Sequence, residues 1–120
     1  MALTHASPGE IVHLPRLASG SADAKTTALV KTDRFEAVHL VLKSGARIAP
    51  HAVGGYFTLH CLEGSLELET ESRRIALYSG DWVYLQRGER HGLKAAEDSS
   101  LLLTILFDGT APDTARSKPI

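Results

Sequence analysis

The feature of this chain that most limits its fold is a series of short apolar segments, each bounded by residues that form turns. Glycine, aspartate and serine cluster at the boundaries, as in Ser79-Gly80-Asp81 and Glu97-Asp98-Ser99. Such segments are typical of β-strands, and no stretch shows a helical period over three turns. The pattern predicts an all-β sandwich or barrel, with strands over residues 28–30, 35–42, 56–62, 65–70, 73–78, 82–86, 91–95 and 101–107.

The division of the chain follows from its length and from the composition of its two ends. At 120 residues the chain suits one domain with one core. Residues 1–25 mix Gly, Pro, Ser and Ala, and we expect an N-terminal arm there, with an edge strand over residues 11–14. We expect the barrel over residues 26–107 and a loose C-terminal tail over residues 108–120, which hold two prolines and no apolar period.

Charge and cysteine content exclude several classes of partner. Thirteen basic and fourteen acidic residues give a net charge of −1, which offers no positive surface to nucleic acid or to an anionic membrane. No apolar run is long enough to span a bilayer, and the N-terminus lacks the basic and apolar regions of a signal peptide. The one cysteine, Cys61, has no internal disulfide partner and is expected to pack in the core. We therefore expect a cytoplasmic protein.

Two histidines lie within sequence blocks that carry spaced glycines. His51 comes six residues after Gly45, and His91 follows Gly80-Asp81 and Gly88. These blocks resemble the paired motifs of the cupin superfamily, and the resemblance extends over about residues 35–107. It implies an RmlC-like jelly-roll β-barrel in a single domain, with imidazoles that are distant in the sequence converging inside the barrel.

The same blocks depart from the family pattern at the positions that matter for a metal. The resemblance implies a divalent metal held by two histidines and a glutamate of the first motif and by one histidine of the second. Here the second histidine position is Val53, and the glutamate position is Phe57, or Thr58 if a gap is allowed. The chain keeps His51 and His91, and two imidazoles hold a first-row metal poorly without a third ligand.

His60 is the candidate for that third ligand. Leu66 and Leu68 alternate with glutamates and are predicted to face the core. If the strand continues unbroken through Gly64, His60 shares their face and points into the barrel. The family alignment instead favours Phe57 as the inward residue, and a bulge at Gly64 would reset the alternation. We favour His60 inward, because the alternation is a property of this chain's own residues.

A ligand pocket beside these histidines is predicted from neighbouring residues of the same strands. Aromatic side chains supply apolar walls, although ordinary core packing explains them equally well. The residues expected to line the pocket are Tyr56, Phe57, Thr58, Trp82 and His39.

Three hypotheses for function follow. A centre of His51, His60 and His91 would bind a divalent transition metal (Fe, Mn, Ni or Zn) and leave positions open for a substrate or dioxygen, as in a metal-dependent oxidoreductase of the dioxygenase type or an isomerase. Alternatively, the cavity binds a small organic ligand without catalysis, as a binding or sensory module, because Val53 and Phe57 replace metal ligands by hydrocarbon. The third hypothesis is a structural homodimer whose arm crosses to the partner's strand edge.

Overall fold

Strands provide the regular structure of the computed structural model, which describes residues 5–17 and 25–107. In that part of the chain, no helix combines the length and the apolar character needed to cross a membrane. The strands are β1 (Thr27–Lys31), β2 (Phe35–Leu42), β3 (Arg47–His51), β4 (Gly55–Glu63), β5 (Ser65–Thr70), β6 (Arg74–Tyr78), β7 (Trp82–Leu85), β8 (His91–Ala95) and β9 (Ser99–Phe107).

These strands form two antiparallel sheets that pack face to face. The five-stranded sheet has the order β1-β2-β9-β4-β7, and the four-stranded sheet has the order β3-β8-β5-β6. The chain passes between the sheets several times, for example from β4 to β5 and from β8 to β9. Each of the eight segments predicted as strands from residue 28 onward overlaps an observed strand, and the all-β architecture is confirmed.

The inner faces of the two sheets share one apolar core. Alternate residues of each strand point inward because side chains alternate along a strand. Leucine dominates on both sides of this core, and a fully buried leucine contributes about 1.5–3 kcal/mol relative to an exposed one. The buried core residues include Val38, Leu40, Leu59, Cys61, Leu66, Leu68, Leu93, Leu101, Leu103 and Ile105.

The strand β3 is not predicted by the sequence pattern. It contains Pro50, which lacks a backbone N–H and therefore cannot donate to a ladder. The strand lies at the edge of its sheet, and its pairing with β8 is irregular between Ile48 and His51. An edge strand with an irregular register tolerates proline, so pairing with β8 makes this segment a strand.

The N-terminal arm differs from its prediction. Residues 11–14, expected as an edge strand, are not in a strand, and the Ile11 side chain is 92 % exposed. Instead the arm bonds to the sheet at two separate points: Ala6 N donates to Leu29 O at 2.8 Å, and Leu17 N donates to Glu63 Oε2 at 3.1 Å. Three apolar residues around His13, without a neighbouring strand partner, were too weak a signal to predict a strand. The predicted C-terminal tail, residues 108–120, lies outside the described residues.

A bulge at the junction of β4 and β5 determines which side chains face the core. The register between β4 and β9 shifts between Cys61 and Glu63, and Gly64 has a positive φ of 90°. A side chain at position 64 would overlap the Asp98 carbonyl oxygen and the Ser99 hydroxyl. Only glycine therefore fits, and the alternation of inward and outward residues is reset across it.

Candidate functional site

The structure brings together two histidines that are distant in the sequence. His51 ends the edge strand β3, and His91 begins β8, where the two residues are direct cross-strand partners. Their ring centroids lie 4.9 Å apart. His91 is buried with 1 % exposure, whereas His51 is half-buried. Solvent therefore reaches the pair from the His51 side.

Each ring is oriented by a hydrogen bond of the same kind, from its Nδ1 to the backbone carbonyl oxygen two residues earlier. Nδ1 of His51 lies 3.1 Å from Ala49 O, and Nδ1 of His91 lies 3.0 Å from Glu89 O. A carbonyl oxygen only accepts, so each Nδ1 carries the proton and donates. In the neutral ring, Nε2 is then left with a free lone pair. The Nε2 of His91 is buried and has no hydrogen-bond partner, so it is available to a ligand.

Burial keeps the His91 ring neutral. Desolvation lowers the pKa of His91 below its ordinary value, and the positive form of the adjacent His51 lowers it further. The bond to the Glu89 backbone and the Glu89 charge act in the opposite direction, without reversing the shift. At neutral pH, His91 therefore presents an acceptor or a metal-ligating lone pair.

Phe57 occupies the inner surface beside this pair. Its ring centroid lies 4.2 Å from that of His91, and the two planes are inclined by 34°. The side chain is 1 % exposed and belongs to the core. The predicted position of the family's glutamate is thus filled by hydrocarbon packed against an imidazole. Val53, at the second histidine position, is also buried.

The prediction that His60 points into the barrel is wrong. Buried Leu59 and Cys61 flank it on β4, so His60 points to the opposite, outer face, where it pairs with Trp82 and Leu102. The cause is the bulge at Gly64, which separates the alternation of β4 from that of β5. The predicted centre of three histidines is therefore not formed. Within residues 5–17 and 25–107, no three His, Cys, Asp or Glu side chains are grouped to hold a metal.

The predicted pocket residues separate onto the two faces of the sheet. Phe57 points inward, as expected for a pocket beside His91. Tyr56 and Thr58 alternate with Phe57 and therefore point outward, as do His39 and Trp82, which share a cross-strand row with His60. These four residues do not line the interior. The pocket was predicted from residue type and proximity along the strands, and consecutive residues such as Tyr56 and Phe57 cannot share one face of a strand.

Cys61 behaves as a core residue, as predicted. The thiol is fully buried, and Sγ lies 3.6 Å from Glu63 O and 3.7 Å from Gly64 O. Desolvation, with smaller contributions from the charges of Asp81 and Glu97, raises the pKa of Cys61 to about 11. A thiol held in its neutral form is a poor nucleophile, so Cys61 belongs to the packing and not to the chemistry.

Sequence reasoning missed Glu36. This residue shares the inward face of β2 with Val38 and Leu40, and it lies in one cross-strand row with Ile105 and Phe57. Its side chain is 2 % exposed, and Oε1 has no hydrogen-bond partner. Burial raises the pKa of Glu36, against smaller opposing effects of Lys31 and His5. Glu36 alternates with Val38 and Leu40 on one face of the strand, and this spacing in the sequence was the signal that could have identified it.

Solved structures of known proteins share the fold of this chain. A cupin superfamily protein from Desulfitobacterium hafniense DCB-2 superposes with a TM-score of 0.70 at 18% identity, over 83% of this chain and 100% of that chain. A conserved protein of unknown function from Streptococcus pyogenes gives a TM-score of 0.72 at 20% identity, over 89% and 97%. An RmlC-like cupin with a double-stranded β-helix fold from Methanocaldococcus jannaschii gives 0.65 at 20% identity, over 74% and 87%. No protein-family model and no curated protein matches the sequence.

Proposed function

This chain has the fold of the cupin superfamily, and we propose that the interior of its barrel binds a small organic ligand at His51 and His91, without a metal ion held by the protein. The observation that carries the proposal is the close packing of the Phe57 ring against the His91 ring, with centroids 4.2 Å apart. Hydrocarbon lies where a third ligand is expected, while the Nε2 of His91 is buried without a partner. The site combines apolar walls with one oriented polar atom, which is the usual composition of a small-molecule site.

The donor set does not fit a divalent metal. Protein sites for first-row metals have three or four protein ligands, and two imidazoles alone leave most of the coordination sphere to solvent. His51 and His91 supply two nitrogens, and His60 lies on the other face of its strand. Glu36 lies two strands away from Phe57 along the same row and is not grouped with them.

The chemistry of the site restricts the ligand. A neutral His91 can only accept a hydrogen bond at Nε2, so the ligand offers a donor there. Phe57 adds an aromatic surface beside that atom. Both requirements are met by a small molecule with a hydroxyl or amino group on an apolar ring or chain.

A second candidate function, a metal-dependent oxidoreductase or isomerase, is favoured by one observation. Both imidazoles donate Nδ1–H to a backbone carbonyl, and metal-ligating histidines are commonly oriented in this way. The same hydrogen bond serves an acceptor site equally well. Metal binding therefore separates the two functions.

The first experiment titrates Zn²⁺ into protein purified without an affinity tag and washed with a chelator. We expect weak binding to the wild type, and binding tighter by about tenfold or more in Phe57→Glu, because a third ligand is supplied beside His91. Phe57→Gln is the matched control, because glutamine has nearly the same shape as glutamate but carries no charge. Stoichiometric metal that the wild type retains through the wash would support the metal-dependent enzyme instead.

The second experiment uses phenol as the probe and follows the His91 ring nitrogens by ¹H–¹⁵N NMR. We expect phenol to shift the Nε2 signal, because it donates a hydrogen bond and places its ring near Phe57. In the variants, binding is followed through the ¹H signals of phenol itself: His91→Ala should abolish saturable binding, whereas His60→Ala, on the outer face, should preserve it. The opposite result for the two variants would refute an interior site.

A further inference from the structure

Two buried polar atoms on the outer side of the five-stranded sheet take no part in the interior site. They are Nε2 of His39 and Oγ of Ser100, and neither has a hydrogen-bond partner among the described residues. Both side chains point outward, because they alternate with the core residues Leu40 and Leu101, yet they are only 2 % and 1 % exposed. Buried polar groups are almost always hydrogen-bonded, so two unpaired atoms on one surface indicate a binding site for a polar group.

The register of the sheet brings these two side chains together with a carboxylate. Ser100 is the cross-strand partner of Val41 in β2 and of Glu63 in β4, and His39 lies two residues before Val41. Direct partners lie about 4.5–5.5 Å apart at Cβ, and diagonal partners lie about 7–8 Å apart or slightly less. Ser100 is therefore between Glu63 and His39. The Glu63 charge is close enough to oppose the lowering of the His39 pKa by desolvation.

The N-terminal arm passes beside this cluster. It bonds to the edge strand β1 at one point, and at another the Leu17 backbone N–H donates to Glu63 Oε2 at 3.1 Å. Since β1 and β4 lie on opposite sides of β2 and β9, the arm leads from the sheet edge to Glu63 past the strands that carry His39 and Ser100. We call the side chains of His39, Glu63 and Ser100 the arm site.

Every side chain of the arm site accepts hydrogen bonds. The Glu63 carboxylate only accepts, and the bond from Leu17 uses one of its roughly four lone-pair positions. The Ser100 hydroxyl accepts as well as donates, and a neutral His39 accepts at Nε2 when its proton is on Nδ1. An ammonium group has three N–H donors, no acceptor and a positive charge, which match this set. We therefore propose that the arm site binds the ammonium group of a small primary amine.

A cavity between the arm and β1 has room for the rest of such a molecule. Its volume is about 290 Å³, and Ile11 and Val12 of the arm and Leu29 of β1 form part of its apolar wall. Thr27 also lines the cavity and is the cross-strand partner of His39. The cavity thus begins one strand away from His39, so an amine with its ammonium group in the arm site can place a short alkyl chain there.

Other ligands suit the arm site less well. Within residues 5–17 and 25–107, no three His, Cys, Asp or Glu side chains are grouped to hold a metal, and the Glu63 charge repels an anion. Bound water is the remaining alternative, because water also donates to unpaired buried atoms. A comparison of a charged and a neutral probe separates the amine from water.

The test titrates propylammonium chloride into the protein, with propanol as the neutral probe of the same length. We expect saturable binding of propylammonium, detected as a shift of the His39 ring nitrogens in ¹H–¹⁵N NMR, and no such binding of propanol. Glu63→Gln should weaken the binding by about tenfold or more, because glutamine still accepts from Leu17 but carries no charge. Glu67→Gln, on the outer side of the four-stranded sheet, is the matched control and should leave the affinity unchanged.

Two further variants locate the site. Ser100→Ala should weaken propylammonium binding by about threefold to tenfold. Without the amine, this variant should be at least as stable as the wild type in urea denaturation, because it removes a buried hydroxyl that has no partner. His91→Ala, which should abolish phenol binding in the interior, should bind propylammonium as the wild type does.

Four results would overturn the inference. The first is a wild type that shows no saturable binding of propylammonium at tens of millimolar, and the second is equal binding of propanol. The third is an unchanged affinity in Glu63→Gln or Ser100→Ala. The fourth is loss of propylammonium binding in His91→Ala, which would move the amine to the interior site.

Discussion

The outer faces of the two sheets carry opposite kinds of side chain. That of the four-stranded sheet is charged, and Arg47 Nη2 lies 3.6 Å from Glu69 Oε1. Its charged residues are Arg47, Glu67, Glu69, Arg74 and Lys94. The outer face of the five-stranded sheet carries four exposed aromatic residues, and the cross-strand rows through them hold no Asp, Glu, Lys or Arg; the aromatic residues are Phe35, Tyr56, Trp82 and Tyr84.

The inner faces, by contrast, are alike. Both sheets contribute leucines that are almost completely buried, such as Leu68 and Leu103. The inward-facing side chains therefore determine the fold, while the outward-facing side chains determine which surfaces the folded barrel presents.

The largest effect is expected where the two sheets are joined. Gly64→Ala should lower the free energy of unfolding by about 3–5 kcal/mol, because the added methyl group overlaps the Asp98 backbone and Ser99 at a positive φ. Gly80 is the control, since it has a similar φ of 94° but no atom within 4 Å of an added methyl group. Gly80→Ala should cost only about 1–2 kcal/mol. Equal losses in urea denaturation would show that the junction does not link the sheets as described.

An intermediate effect is expected from pH, because each sheet buries one histidine. Burial lowers the pKa of His91 on the inner side of the four-stranded sheet, and that of His39 on the outer side of the five-stranded sheet, where the Glu63 charge partly opposes the shift. Both rings are thus neutral when folded, whereas the unfolded chain takes up protons near pH 6.5. The free energy of unfolding should therefore fall as the pH drops below about 6.5.

Single substitutions measure the contribution of each histidine to this pH dependence. His39→Gln and His91→Gln should each make the decrease of unfolding free energy between about pH 6.5 and pH 5 less steep, and the exposed His13→Gln should leave it unchanged. Urea denaturation at several pH values measures the slopes. A wild-type stability that is constant over this range would mean that neither ring is held neutral by burial.

The smallest effect is expected on the charged face. Arg47→Ala removes an ion pair whose side chains are 59% and 35% exposed, and exposed pairs contribute about 0–1 kcal/mol. We expect a loss below about 0.5 kcal/mol in urea denaturation. A loss well above about 1 kcal/mol would mean that this face is more than a solvated surface.

Local pattern was sufficient for most of the architecture. The segments predicted as strands form strands, because alternation and turn residues act over a few neighbouring positions. There were two exceptions. Residues 11–14 were predicted as an edge strand and are not in a strand, and β3 was not predicted, because its Pro50 argues against a strand until β8 is present to pair with it. The spacing of His51 and His91 relative to glycines likewise identified the two imidazoles that the structure brings together.

The direction in which side chains point was predicted less well than the location of the strands. Parity was extended through Gly64, and this error placed His60 in the interior. Tyr56, Thr58 and Trp82 were assigned to a pocket by residue type and proximity, without regard to the face on which they lie. Glu36 was overlooked, although it shares its face with Val38 and Leu40. A shift of one residue exchanges the two faces of a strand, so a single bulge outweighs an otherwise regular pattern.

The sequence by itself determined that this chain forms short antiparallel strands, and which two histidines belong to its motifs, because both properties depend on residue type and spacing alone. Only the tertiary structure decided which face of β4 is inside. That choice depends on the bulge at Gly64 and on the pairing of strands far apart in the chain, and it makes Phe57 a neighbour of His91 while it leaves Trp82 outside.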